Sequence, residues 1–293
     1  MKSVTEPGLF ARRMRETLFR LLFLLTACFS AVAVLVILLF LLSEGMPAFF
    51  EIGFFEFLGG LIWKPTADLY GILPMIVGSL AVTAGAILAG VPLALLTAVF
   101  LARFCPLTLY RPVKSVIRLL AGIPSVVYGF FGLVVMVPLM QDFGGSGKGL
   151  LTASLLLGIM ILPTVTEVAE NSLHSVTNSY YEGALALGAT SERAVFTVMF
   201  PAARQGLLSA IVLGIGRAVG EATAVVMVAG NQPIIPNSLL AGVRTLTANI
   251  ALEMSYATDL HFGALVATGI TLFVFVLLTN LALAALRRMG EKR

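Results

Sequence analysis

Charge is what this chain has least of. Only 12% of its 293 residues are Asp, Glu, Lys or Arg, against about 25% in an average soluble domain. That shortage excludes an ordinary solvated globule. Histidine and cysteine are scarcer still, with two of each. Cys28 falls in an apolar run and Cys105 in a basic loop, and neither position favours a disulfide. Two cysteines alone make no metal site, and no carboxylates cluster at metal-ligand spacing. No run of Ser, Pro or charge is long enough to be an interdomain linker, and no repeat of fixed period is visible.

What the chain has in excess is apolar sequence, 59% of its residues. Several apolar runs exceed the length of roughly 18 residues that marks a membrane span. Lipid offers the backbone no partners, so such runs become helices. Six spans are expected, at about 20–43, 70–102, 113–140, 150–172, 205–230 and 261–286. The fold class expected is therefore an all-α integral membrane protein with one membrane domain, 20–287, flanked by tails 1–19 and 288–293.

The net charge of +4 is explained by its distribution rather than by nucleic acid. Lys2, Arg12, Arg13, Arg15 and Arg20 precede the first span; Arg103, Arg111, Lys114 and Arg118 follow the second. Arg193 and Arg204 lie between spans four and five, and Arg287, Arg288, Lys292 and Arg293 end the chain. These segments hold 15 of the 19 cations, whereas Lys64, Lys148 and Arg244 lie on the other side. The positive-inside rule then puts both termini and the loop 174–203 of this multi-pass protein in the cytoplasm. Arg12–Arg20 and the box Leu25–Cys28 imitate a signal peptide. The apolar run continues to Leu42, however, too long for an h-region of roughly 7–15 residues, so an uncleaved anchor helix is expected.

Several loops stand out. The first outer loop, Ser43–Leu69, is aromatic and acidic, with Phe49, Phe50, Phe54, Phe55, Phe57 and Trp63. It suits either an interfacial aromatic belt or a docking surface. The 33 residues of 70–102 would reach about 50 Å as one helix, against a core of about 30 Å. That span must tilt, kink at Pro92 or run into the cytoplasm. QDFGGSGKG (141–149) lacks the phosphate-loop register, because Gly149 follows Lys148, and is expected to be a flexible turn. The loop 231–260 has room for a short helix around Arg244–Met254.

The stretch Glu182–Pro201, EGALALGATSERAVFTVMFP, sits between two apolar segments. Ser179-x-x-Glu182 has the spacing of a capping box, so a short helix is expected from Tyr180 to about Leu187. Gly188 suits the left-handed residue that ends it. Ser191 can start a second short helix carrying Val195, Phe196 and Met199, and Pro201 fits the first turn of the next span. In the fifth span, Arg217 and Glu221 stand at i,i+4, on one face of a helix. Charges at bilayer depth cost about 2.5–3.5 kcal/mol each on insertion scales, so the two are expected to pair, to line a wet cavity, or both. Gly216, Gly220 and Ala224 make a small-residue stripe about 100° around that helix. Pro124, flanked by Gly122 and Gly129, predicts a kinked or broken third span. Glu167 and Glu170 share a face near His174, where they either contact a cytoplasmic partner or solvate the helix end. A membrane enzyme finds little support, since His174 and His261 fall on opposite sides of the membrane.

Glu182, Ala184, Gly188 and Pro201 match the coupling-loop signature E-A-A-x3-G-x9-I-x-L-P at every fixed spacing, with Gly183, Val198 and Phe200 as mild replacements. In this stretch the chain resembles bacterial ABC importer permeases. RPVKSVIRLLAGIPSVVYGFFGL (111–133) and GIGRAVGEATAV (214–225) resemble segments of the phosphate importer permeases, PstC rather than PstA. Thr223 comes one residue later than in that pattern. The resemblance covers about 70–232 and implies a type I ABC importer permease fold. It implies a PstA-like permease partner, a PstB-like ATPase dimer carrying ATP and Mg, and a PstS-like periplasmic phosphate-binding protein. Glu182, Gly183, Ala184, Gly188 and Pro201 would couple to the ATPase; Arg217, Glu221, Pro124 and Ser125 would line the path of inorganic phosphate. No catalytic residue, metal or cofactor is expected on the chain itself. A permease for another oxyanion (molybdate or sulfate) and an ion-coupled secondary transporter using Glu221 are the alternatives.

Overall fold

The computed structural model describes residues 6–291, with side chains described from Met14 to Leu281 and at Ala284 and Ala285. Lys2, Lys292 and Arg293, and the side chains of Arg12, Arg13, Arg287 and Arg288, lie outside the described residues.

Among the described residues, four helices are long and apolar enough to cross a membrane, or up to six if each of two bent pairs is counted as one span. The first is α1 (Glu6–Ile52), which runs unbroken through Cys28 and Pro47 well past the expected end at 43. The first outer loop therefore begins later than expected, with α2 (Phe54–Gly59) and a hairpin of β1 (Trp63–Lys64) and β2 (Leu69–Tyr70). Its aromatics divide: Phe49, Phe57 and Trp63 are buried, while Phe50, Phe54 and Phe55 remain exposed. The loop is therefore a packed cap with an exposed aromatic rim.

The second helix, α3 (Leu73–Val99), continues as a π-helical turn to Phe104 and carries Pro92 inside it. It packs along α7 (Leu150–His174) to form the main core. Small residues let the two approach closely; a Cβ on Gly90 would lie 2.5 Å from the Gly158 carbonyl oxygen. Hydroxyls stitch the same seam: Ser154 donates to the Val82 carbonyl and Thr166 to that of Ala94. The last long helix, α14 (Asp259–Glu291), packs against α1.

The two remaining expected spans are not straight. The third divides into α4 (Leu107–Gly122) and a second arm, α5 (Ser125–Phe131), a π turn and α6 (Val137–Gln141), bent by 98° at the break. Ile123 and Pro124 are extended there, as the proline predicts, and the Leu120 carbonyl accepts from the Ile123 amide and, at 2.8 Å, from the Tyr128 hydroxyl. The fifth divides into α11 (Arg204–Gly220) and α12 (Thr223–Val228). The turn 141–149 contains left-handed Gly144, Gly145 and Gly147, and Gly149 and Leu150 then bond to the Val228 and Ala241 carbonyls.

The expected helix in the loop 231–260 is α13 (Leu246–Glu253), N-capped by the Thr245 hydroxyl on the Ala248 amide. Glu253 is buried there among three donors. Trp63 Nε1 lies 2.8 Å from it, Arg244 Nη1 2.6 Å and His261 Nε2 3.0 Å. Beside it, burial first and Asp68 second push the Tyr70 hydroxyl above the usual tyrosine range, so it stays a donor.

Candidate functional site

The loop after α7 folds into two short helical arms. The first, α8 (Asn178–Ala186), is N-capped by Thr177, without a side-chain cap bond. The expected Ser179–Glu182 capping box is thus corrected: the helix begins before Ser179, and both side chains are exposed. Gly188 ends the arm as expected, at φ 86°, with its amide on the Leu185 carbonyl and that of Ala189 on Ala184. Only a residue free of Cβ strain sits there without cost.

The second arm comprises α9 (Ser191–Ala194), a π turn over Val195–Met199 and α10 (Phe200–Ala202). Its cap is Thr190, whose hydroxyl accepts from the Arg193 amide, so Ser191 is the first helical residue rather than the cap. Ala194, Val195 and Met199 are buried, and Phe196 is half exposed. Pro201 lies in α10, still within this arm; the chain turns at Ala203, and α11 leaves at 76°. That corrects its expected place in the first turn of the next span. Glu182, Gly183, Gly188 and Pro201 all face outward, together with Tyr180, Leu185 and Leu187, while Ala184 is half-buried. The result is a helix–glycine–helix projection with an uncovered apolar face.

At the other candidate site, the expected Arg217–Glu221 ion pair is absent among the described residues. The helix stops at Gly220, and Glu221 is extended at φ −77° and ψ 120°, so i,i+4 geometry no longer applies. The Glu221 carboxylate instead accepts from the Ala224 amide at 3.0 Å and so caps α12, while its carbonyl accepts from the Thr247 hydroxyl at 3.0 Å. Arg217 reaches toward α7, with Nη1 3.4 Å from Thr164 Oγ1. Its Nε is buried without a partner, an arrangement that is costly for a cation.

The expected small-residue stripe also divides. Gly216 and Gly220 have open space where a side chain would be, whereas Ala224 is buried against Gly129. Gly129 brings α5 onto α12, so the two helices that restart after a break pack side by side. Ser125 begins the first of them directly after Pro124. The structure thus brings the Pro124 and Glu221 breaks into one assembly, and keeps the projecting loop separate from it.

Two polar constellations were not found by sequence reasoning. Glu170, taken as a partner contact or a solvating residue, is 1% exposed. It accepts from Lys114 Nζ at 2.6 Å and from the Tyr110 hydroxyl at 2.8 Å, tying α4 to α7. Glu167 is half exposed and 3.8 Å from Arg118. Arg103, counted only as a positive-inside charge, donates to Asn178 Oδ1 at 3.1 Å and lies over the Tyr181 ring. The partners lie 56 and 75 residues apart, beyond any local spacing rule.

Residues 90–289 match the family model described as the binding-protein-dependent transport system inner membrane component. A probable ABC transporter permease protein, YqgH of Bacillus subtilis, is 39% identical over 94% of each chain. The phosphate transport system permease protein PstC of Mesorhizobium japonicum is 36% identical over 99% of this chain and 97% of its own. PstC of Haemophilus influenzae is 36% identical over 81% of both. Among solved structures, an inward-facing MetNI methionine ABC transporter chain superposes with a TM-score of 0.61 at 23% identity, covering 78% of this chain and 99% of that one. That likeness supports the fold. The chain therefore belongs to the binding-protein-dependent transport system inner membrane components, with PstC phosphate permeases among its relatives, and is a permease subunit of an ABC importer.

Proposed function

We propose that the chain is the PstC-type permease subunit of an ATP-driven importer of inorganic phosphate. The observation that carries this is the 36% identity with a named phosphate permease over 99% of the chain. In this account six spans cross the bacterial inner membrane with both termini in the cytoplasm, α4 to α6 and α11 with α12 each serving as one broken span. The 178–202 projection docks into a PstB-like ATPase dimer, which holds ATP and Mg. A PstA-like permease completes the pathway, and a PstS-like protein delivers phosphate from outside. ATP binding draws the projections of the two permeases together and rocks their helices.

Arg217 suits an anion path. Its guanidinium is only part-buried and has one long contact, Nη1 to Thr164 Oγ1 at 3.4 Å, which leaves donors for a passing oxyanion. Pro124 and Ser125 at one break, and Glu221 at the other, shape the same region.

Reconstitution of the four components in proteoliposomes tests this. Uptake of labelled phosphate that requires ATP, with weak competition by sulfate and molybdate, is the expected result. ATP-driven uptake of one of those anions in place of phosphate would move the chain to the other oxyanion class. Uptake that survives removal of the ATPase and stops with an uncoupler would make it an ion-coupled transporter.

A further inference from the structure

We propose that Arg103 is the positioning residue that tethers the first arm of the projection to the membrane core. Helix α8 buries none of its own residues. Left to itself it is a short helix of nine residues, below the length of about 12–15 at which isolated helices hold in water. It stands on Tyr181, which is half-buried against the main core. Over that ring, 5.0 Å from its centroid, lies the guanidinium carbon of Arg103. The same guanidinium donates to Asn178 at the start of the helix.

Arg103 belongs to the π turn that ends α3. The turn is closed by the Cys105 amide on the Phe100 carbonyl at 2.8 Å, and its neighbours Leu101 and Ala102 are buried. The tether therefore joins α8 to the helix that packs along α7. Arg103 Nε is buried without an acceptor. A guanidinium present only for solubility would turn that donor to water; this one is held against the ring instead.

Arginine suits the task because its planar group can stack and donate in plane at once, which an ammonium cannot. A stacked contact also tolerates sliding, so the tether survives while α8 rocks. A push on the exposed face of α8 then reaches α3, and through the Gly90–Gly158 seam reaches α7. The inference rests on the proposed role of the projection as the surface pressed by the ATPase.

The test uses the complete importer carrying Arg103→Ala, Arg103→Lys, Asn178→Ala or Tyr181→Leu. Two quantities are read: solute moved per ATP hydrolysed, and hydrogen exchange of the α8 amides. Arg103→Ala should leave ATP hydrolysis in place and lower solute moved per ATP by about tenfold, with faster exchange confined to α8. Arg103→Lys should fall between it and wild type. If Arg103→Ala fails to assemble, Asn178→Ala and Tyr181→Leu carry the same expectation in milder form. Unchanged transport per ATP with unchanged exchange overturns the tether. Exchange does not depend on which solute is carried, so a wild type that moves no phosphate would sink the phosphate assignment and still leave the tether decided.

Discussion

Lys114 Nζ lies 2.6 Å from Glu170 Oε2, and both side chains are almost wholly withdrawn from solvent. The Tyr110 hydroxyl occupies the other carboxylate oxygen, and His174 stands 3.8 Å from it. This group fastens the amphipathic helix α4 to α7 just before α7 gives way to the projecting loop.

Removing one partner leaves an uncompensated buried charge. Lys114→Met or Glu170→Leu alone should therefore destabilise the subunit by about 3–5 kcal/mol. The double variant should recover most of that loss, since a well-packed apolar pair also avoids the desolvation cost. Thermal unfolding of the purified complex, read as a double-mutant cycle, checks it; a double variant as unstable as the sum of the singles would refute it.

Gly129 is the contact point between the two restarted helices. A Cβ there would lie 2.6 Å from Met227 Sδ and 3.0 Å from Ala224 Cα. The methionine can swing away, but the α12 backbone cannot. Gly129→Ala should cost about 1–3 kcal/mol, and Gly129→Val more. Yield and thermal midpoint in detergent measure the effect. A variant with wild-type stability would show that α5 and α12 are not packed this closely.

Gly188 differs, because nothing lies within 4 Å of an added Cβ. Any penalty there comes from its φ of 86°, about 1–2 kcal/mol for a residue with a Cβ. Gly188→Asn should retain most ATP-driven uptake. Gly188→Val should insert normally but lose uptake, because the two arms can no longer hold their turn. Wild-type uptake in the valine variant would remove Gly188 from the coupling role.

The contrast among these residues shows what was legible in the sequence. Pro124 and Gly188 act through their own backbone restrictions, so the break and the left-handed turn were both readable. The span that became α7 followed from its apolar run, and the length of 231–260 left room for a short helix, but the Thr245 cap that starts α13 emerged only in the structure. The stop at Gly220 was not readable: no proline marks it, and it is held by Thr247, 26 residues away, on the Glu221 carbonyl. The Ser179 cap failed for a related reason. Asn178 is taken by Arg103 from a distant helix, and α8 starts one residue before the serine. Buried Glu170 looked like a surface acid because its lysine lies in a different element. Local rules find what the backbone decides; tertiary partners decide the rest.

Arg217 and Glu221 give a sharper test of the candidate path. With the helix ended between them, the arginine faces Thr164 and the glutamate caps α12. Their contributions should then be separate. Arg217→Gln should cut uptake of the proposed phosphate substrate by at least about tenfold while assembly stays normal, since it removes a part-buried cation, and Arg217→Lys should keep part of the activity. Glu221→Gln retains an oxygen that can accept from the Ala224 amide, so α12 should hold, and stability should change by less than about 1 kcal/mol. The exchange Arg217→Glu with Glu221→Arg should be no better than the worse single variant, because no pair exists to restore. Uptake rescued by that exchange would establish a direct ion pair and return both residues to a structural role.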